Sequence, residues 1–228
     1  MVYLIIILTI ATFFFLYAIL PSRYFKFLYS KKRKNTGKTI YLTFDDGPSE
    51  HTSKLLDILK KYNVKATFFC VANFAKNNPN IIKRMNKEGH AIGLHSLNHE
   101  NAYLMSPFKT KQDFSESIKI MKSLNQNITY YRPPWGDINL FSLYYLKKHH
   151  LKLVLWHVMA EDWKEKTSTF EIEIKLLKRI QGNDIICLHD GRGKDNAPLR
   201  TIEALDKVIP ILQRKGYKFE TVDKYYES

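Results

Sequence analysis

Cysteine is scarce in this 228-residue chain: there are two, Cys70 and Cys187. Two are too few for a disulfide framework, and each lies in an apolar strand-like run, where a small buried hydrophobe is the plain reading. Zinc-finger spacing and RNA-binding aromatic motifs are also missing, which argues against nucleic acid as a partner despite the formal charge of +14. No internal repeat or low-complexity tract is present. Acidic residues are absent from residues 1–38, which hold seven of the 36 basic residues (Arg23, Lys26, Lys31, Lys32, Arg33, Lys34 and Lys38), leaving a net +7 on the remainder. A moderately basic body favours anionic surroundings such as a membrane face or an acidic polymer.

Charge of either sign is missing from residues 2–20, an unbroken apolar run. In a helix these residues rise about 28 Å, close to the hydrocarbon thickness of a bilayer. No basic segment precedes the run and no small-x-small cleavage site follows it, so an uncleaved anchor is favoured over a signal peptide. Pro21 and the basic segment 23–34 are expected to close the span, with Tyr24, Phe25, Phe27 and Tyr29 suited to the interface. The expected organisation is an anchor over 1–21, a basic juxtamembrane linker over 22–38 and a folded domain over 39–228.

Beyond the linker, strand-like and helix-like segments alternate. Strands are predicted at 39–44, 66–71, 90–94, 129–131, 151–156, 184–188 and 217–219. Helices are predicted at 52–62, 80–87, 111–124, 140–149, 168–180 and 199–215, with Ser168 and Glu171 at capping-box spacing. Seven β/α units imply a mainly parallel sheet covered by helices. Candidate functional residues fall at many different strand ends, which points to a barrel.

The chain is organised around Thr43-Phe44-Asp45-Asp46-Gly47-Pro48. Gly47-Pro48 stops a buried strand, fixing two adjacent carboxylates whose repulsion is costly unless a cation or a proton intervenes. His95-Ser96-Leu97-Asn98-His99 follows another strand. Imidazoles four apart face one side of a helical turn, so both can reach one ion. With one Asp they form a His2Asp set that leaves coordination positions open, as a catalytic site requires. Tyr131-Arg132-Pro133-Pro134-Trp135-Gly136 is a proline-stiffened loop that fixes Arg132 and Trp135. The last two segments are the run from Trp156 to Trp163, and Ile186-Cys187-Leu188-His189-Asp190-Gly191, in which His189 is a candidate proton donor.

Over about residues 39–222 this motif set resembles the NodB-type polysaccharide deacetylases of carbohydrate esterase family 4. The resemblance implies a distorted (β/α)7-8 barrel, here preceded by one N-terminal transmembrane helix. It also implies a metal-dependent hydrolase that removes N-acetyl groups from N-acetylglucosamine-type residues. By resemblance Asp45 is the general base and His189 the general acid, and Asp46, His95 and His99 hold one divalent metal ion. Zinc suits this set best, and other first-row ions fit the same ligands. Arg132 would orient Asp45 and Asp162 would steady Arg132. Trp135 and Trp163 would wall the acetyl pocket, with the Trp135 N–H helping to bind the oxyanion. Three positions depart from the family pattern: Met159 replaces a common Asp, Cys187 a common Leu that would line the substrate pocket, and Trp135 a common Tyr.

The expected substrate is peptidoglycan or a related glycan close to the membrane. A polyprenyl-linked sugar is the first alternative and a non-catalytic glycan-binding role the second. The basic flank after the span favours a cytoplasmic domain, whereas the family's usual substrates favour the extracytoplasmic face.

Overall fold

The computed structural model describes residues 1–31, 33 and 36–227. The chain begins with one helical rod, Val2–Lys31, made of α1 (Val2–Phe14), a π-helical turn (Phe15–Ile19) and α2 (Leu20–Lys31). Pro21 does not end it. A proline within a helix lacks an N–H and crowds the carbonyl four residues back, here that of Tyr17. The widened π turn immediately before Pro21 gives that carbonyl room.

After the rod come β1 (Thr39–Asp45), α3 (Thr52–Lys61), β2 (Thr67–Cys70), α4 (Ala72–Asn77), α5 (Pro79–Lys87) and β3 (Ala91–Leu94). A 3-10 turn (Ala102–Leu104) leads to α6 (Pro107–Ser123), β4 (Tyr130–Tyr131), a second 3-10 turn (Pro134–Gly136), α7 (Leu140–Lys148) and β5 (Lys152–Leu153). The chain ends with β6 (Val158–Met159), α8 (Thr169–Arg179), β7 (Ile185–His189), α9 (Ala197–Arg214), β8 (Lys218–Glu220) and α10 (Val222–Glu227). The strands run parallel in the order β5-β4-β3-β2-β1-β7-β6, and β8 pairs with the first residues of β1. This is a curled, incomplete (β/α) barrel: among the described residues no ladder joins β5 to β6.

The expected strand over 151–156 is therefore shorter. Lys152 and Leu153 pair with β4, while the carbonyls of Val154 and Leu155 accept hydrogen bonds from Arg132. Val158 and Met159 then pair with β7 as a separate strand.

Strand alternation places the chemistry. Side chains along a strand point alternately to its two faces. Ile40, Leu42 and Phe44 join Phe68, Cys70, Ile186 and Leu188 in the large outer core beneath the helices. The alternate residues of the same strands face inward, so Thr43, Asp45, Cys187 and His189 share the barrel interior. Direct pairing of Thr43 with Cys187 and of Asp45 with His189 sets them side by side. Below them Tyr41, Phe69, Val154, Ile185 and Val222 form a second, smaller core.

The seam between β5 and β6 is covered by α2 and α10. Tyr226 Oη donates to the Leu153 carbonyl at 2.8 Å and meets Tyr29 Oη at 2.9 Å. Further along the rod, Ser22 Oγ donates to the Ile138 carbonyl and accepts the Ile138 N–H, both at 2.8 Å. Lys26 pairs with Asp137 at 2.7 Å, and Arg33 grips both oxygens of buried Asp184 at 2.8 and 2.7 Å. Part of the segment expected as a linker over 22–38 is thus helical and packed on the domain. Its residues Lys32, Lys34 and Asn35 lie outside the described residues, as does Ser228.

Candidate active site

The candidate residues lie at or beyond the carboxyl ends of strands, apart from Cys187 in the middle of β7 (Ile185–His189). Asp45 ends β1, His95 follows β3, Arg132 follows β4 and His189 ends β7. Asp45, Asp46, His95, His99, Trp135, Trp163, Cys187 and His189 line one cleft of about 290 Å3, with Trp156, Met159, Arg192 and Gly193 completing its wall.

The two histidines do not share a helical turn as their spacing suggested. Residues 95–99 form a loop in which Ser96 and His99 adopt left-handed backbone conformations, with φ of 67° and 59°. Ser96 Oγ accepts the His99 N–H at 2.8 Å, and Asp113 accepts the Leu97 N–H at 2.9 Å. Asp46 (φ 73°) and Trp135 (φ 56°) are left-handed too. Non-glycine residues rarely adopt this conformation, and such strain concentrates at functional sites where surrounding contacts enforce it. Local sequence patterns carry no signal for it.

Asp46 Oδ1 faces His95 Nε2 at 3.2 Å and His99 Nε2 at 2.9 Å, and the three potential ligand atoms lie within 4.8 Å of one another. A carbonyl can only accept, so the 2.6 Å contact from His95 Nδ1 to the Arg132 carbonyl places the proton on Nδ1. That leaves His95 Nε2 as the ring nitrogen able to ligate an ion. Burial lowers the pKa of His99 below its ordinary value, which favours its neutral, ligating form. Burial opposes charge on Asp46, yet the two imidazoles hold its carboxyl far below the usual carboxylate range. Asp46 Oδ1 is buried without a conventional hydrogen bond among the described residues. A carboxylate oxygen and two imidazole nitrogens converging in so small a space fit a divalent cation, which would take the place of the protons the imidazoles lend to Asp46.

Asp45 stands apart from that set. Arg132, fully buried, donates from Nη1 to Asp45 Oδ1 at 2.8 Å and to Thr43 Oγ1 at 2.6 Å. Desolvation works against the guanidinium charge, but Asp45 holds it above its ordinary pKa. The Arg132 plane also lies 4.1 Å from the Phe69 ring centroid. On the other side, burial and then the Asp45 charge push the Cys187 thiol well above its ordinary pKa. It stays protonated and donates to Asp45 Oδ2 at 3.3 Å.

Asp162 corrects an expectation: it does not touch Arg132. Its Oδ1 lies 2.9 Å from His189 Nδ1, and its Oδ2 accepts the His189 N–H at 2.8 Å and the Thr201 hydroxyl at 2.9 Å. Arg132 is steadied instead by the Val154 and Leu155 carbonyls. Burial lowers the His189 pKa, but Asp162, then Asp46 and Asp45, push it up to about 9. Trp163 packs edge-on against His189 at 5.1 Å, and Trp135 against His99 at 4.5 Å.

Asp190 was quoted in the sequence motif without a role. Its Oδ2 accepts from Thr52 at 2.5 Å, its carbonyl accepts from Ser49 at 2.5 Å, and its N–H reaches the Asp45 carbonyl at 3.1 Å. Its carboxylate fills the space where a Cβ on Gly47 would project, so the Asp-Asp-Gly turn is built against it. Burial, with Asp46 and Asp45 close by, pushes its pKa up to about 7.

A parallel barrel whose strand ends hold a candidate cation-binding triad, a second carboxylate and a protonated imidazole has the makings of a metal-assisted hydrolase. The profile of the polysaccharide deacetylase family matches residues 32–154, and the chain belongs to that family. It is a hydrolase of carbon–nitrogen bonds other than peptide bonds. A peptidoglycan-N-acetylglucosamine deacetylase of Bacillus cereus is 36% identical over 193 residues, covering 83% of this chain and 89% of that one. The crystal structure of the Bc1960 peptidoglycan N-acetylglucosamine deacetylase is similar with a TM-score of 0.79 and 32% identity, over 86% of this chain and 91% of the other. A family 4 acetyl xylan esterase from Clostridium thermocellum, in complex with a cobalt ion, is similar with a TM-score of 0.75 and 33% identity, over 83% and 91% of the two chains. The family is metal-dependent.

Proposed function

We propose that this protein is a membrane-anchored N-deacetylase acting on N-acetylglucosamine-type residues of peptidoglycan or a related glycan. The supporting observation is the convergence of Asp46, His95 and His99 beside Asp45 and His189 in one cleft. Asp46, His95 and His99 would hold the divalent ion, with zinc the best match to the ligands. When bound, that ion supplies polarisation of the acetyl carbonyl and a lowered pKa for water.

The remaining roles belong to the chain. Asp45, held on one oxygen by Arg132 and on the other by Cys187, accepts the proton of the attacking water. The Trp135 N–H meets the charge that develops on the carbonyl oxygen. His189, kept protonated by Asp162, gives its Nε2 proton to the departing amine. An amine leaves poorly as an anion, so this last transfer is required. Trp135 and Trp163 exclude water from the acetyl group.

Residues 2–20 serve as an uncleaved anchor in this reading, with residues 39–228 as the catalytic domain. Pro21 and Ser22, where a signal peptide would end, are buried against the domain, which supports retention of the run. The domain is assigned to the extracytoplasmic face on the substrate class. The docked rod also keeps the cleft close to the bilayer, which favours membrane-proximal glycan and extends to lipid-linked sugars.

Zinc-loaded full-length protein in detergent is expected to release acetate from N-acetylglucosamine oligomers or peptidoglycan fragments. Asp45→Asn is expected to cut the rate by roughly 10²–10⁴-fold, the usual contribution of a general base, while glycan binding persists. A folded, metal-loaded protein that binds these glycans without releasing acetate would instead be a glycan-binding protein.

A further inference from the structure

The apolar run and the part of the helix that stands free of the domain differ in length. The best 18-residue window has a mean hydropathy of 2.6 and is only 11% buried, so it is no core helix of the domain. Yet only α1, 13 residues with none buried, projects from the domain, and its last residue, Phe14, already touches it. At 1.5 Å per residue it rises about 20 Å, some 10 Å short of the hydrocarbon thickness of a bilayer. The rest of the run is already in contact with the domain. Phe14 packs edge-on against Tyr103 at 6.2 Å, Tyr17 lies 6.4 Å from Phe141, and Tyr17 Oη donates to the Met105 carbonyl at 2.9 Å.

Where the rod meets the domain, the domain exposes large apolar side chains. Leu104 is 85% exposed, Phe108 74%, Tyr144 56%, Leu140 49% and Phe141 38%. They come from the first 3-10 turn and the amino-terminal ends of α6 and α7. Asn139 ties these three segments into one face, donating to the Ala102 carbonyl at 2.9 Å and to Thr110 Oγ1 at 3.0 Å. Contiguous exposed apolar surface of this kind marks an interaction site. The bilayer is its fitting occupant, because the face is continuous with the membrane-spanning run and lies at the level where α1 is too short.

We propose that the face formed by Leu104, Phe108, Leu140, Phe141 and Tyr144 is a second membrane contact, seated in the interfacial layer of the bilayer that receives α1. The inference rests on the anchor reading above. It makes the domain a partly immersed body, held by the rod in one orientation, rather than one that swings on a tether.

The test uses the full chain in vesicles of phosphatidylcholine and phosphatidylglycerol, with a polarity-sensitive fluorophore at one introduced cysteine. Native Cys70 and Cys187 are buried and do not compete for the label. Labels at Phe108→Cys and Tyr144→Cys are expected to shift to the blue and to lose at least half their emission to lipids spin-labelled near the headgroup. A label at Ile7→Cys is expected to respond to lipids spin-labelled deep in the acyl chain, and one at Lys207→Cys on α9 to neither. Quenching at Ile7 with none at Phe108 and Tyr144 overturns the second contact and leaves the anchor standing. No quenching at Ile7 overturns the anchor, and the second contact with it. Crosslinking between Phe108→Cys chains in place of quenching assigns the face to a second copy and also overturns the proposal.

Discussion

In the proposed mechanism His189 and Asp162, in contact at 2.9 Å, would set the alkaline limit of the reaction. With its pKa raised from 6.5 to about 9, the imidazole is charged at neutral pH and ready to donate. Because the folded value lies above the unfolded one, the pair stabilises the protein fully below about pH 6.5, and this is lost as the pH rises through about 9. The amount at stake is on the order of 3 kcal/mol. In metal-free protein, the His189 resonances followed by NMR should titrate near pH 9, and Asp162→Asn should move that titration down by at least one unit. In metal-loaded enzyme the same substitution should pull the alkaline limb of kcat/KM downward, and a limb that stays in place would remove His189 as the acid. The candidate residues were legible because each stands near a strand end in a short motif: Asp45, Asp46, His95, His99 and His189 line one cleft, with Arg132 bonded to Asp45. The partner of Asp162 was not, because only the fold brings residues 162 and 189 together. Asp190 escaped for a similar reason, since its contacts run to Ser49 and Thr52.

Among the elements, α2 departs most from what its composition suggested. The basic residues on it and just after it read as a flank outside the fold, yet Lys26 on α2 and Arg33, two residues past its end, meet buried or nearly buried carboxylates on the domain. Asp184 is fully buried and also accepts the Gln181 N–H at 2.7 Å, so losing Arg33 would strand much of its charge. Removing one partner of a buried ion pair costs roughly 3–5 kcal/mol. Arg33 remains partly exposed, so Arg33→Ala should cost about 2–3 kcal/mol in urea unfolding of the full chain. It should also raise the proteolysis rate within α2; a variant as stable as the parent would mean that the rod is not fastened there. The helical and strand periods gave most of the rest of the element order, with exceptions that have physical causes. Short α4 and α10, of six residues each, present too little period to read. The split of the expected strand over 151–156 follows from Arg132 taking the carbonyls of Val154 and Leu155. The His95–His99 loop mimics helical spacing with a left-handed turn. Pro21 signals a helix end unless a π turn precedes it, and here one does.

At the scale of the whole molecule, the rod, as the proposed anchor, would set how far the cleft stands from the membrane. Lys26 passes beside Gly136, next to Trp135 at the mouth of the cleft, and lies six residues beyond Leu20. Along a helix that is about 9 Å. A second cavity of about 560 Å3 between α2 and the domain shares Trp135, Trp156 and Met159 with the cleft, so the two open side by side. An enzyme held this way meets substrate at an effective concentration set by the shared surface, in the millimolar range for short tethers. Substrate on another particle would instead have to diffuse to a cleft held beside a different bilayer. Full-length protein in vesicles should therefore deacetylate a lipid-anchored N-acetylglucosamine oligomer in its own bilayer at least tenfold faster than the same conjugate in separate vesicles. Dissolving both populations in detergent should erase the difference, because all the substrate then shares one dispersed phase. Equal rates in intact vesicles would show that the domain reaches freely outward, and would set the docked rod aside as a constraint on substrate choice.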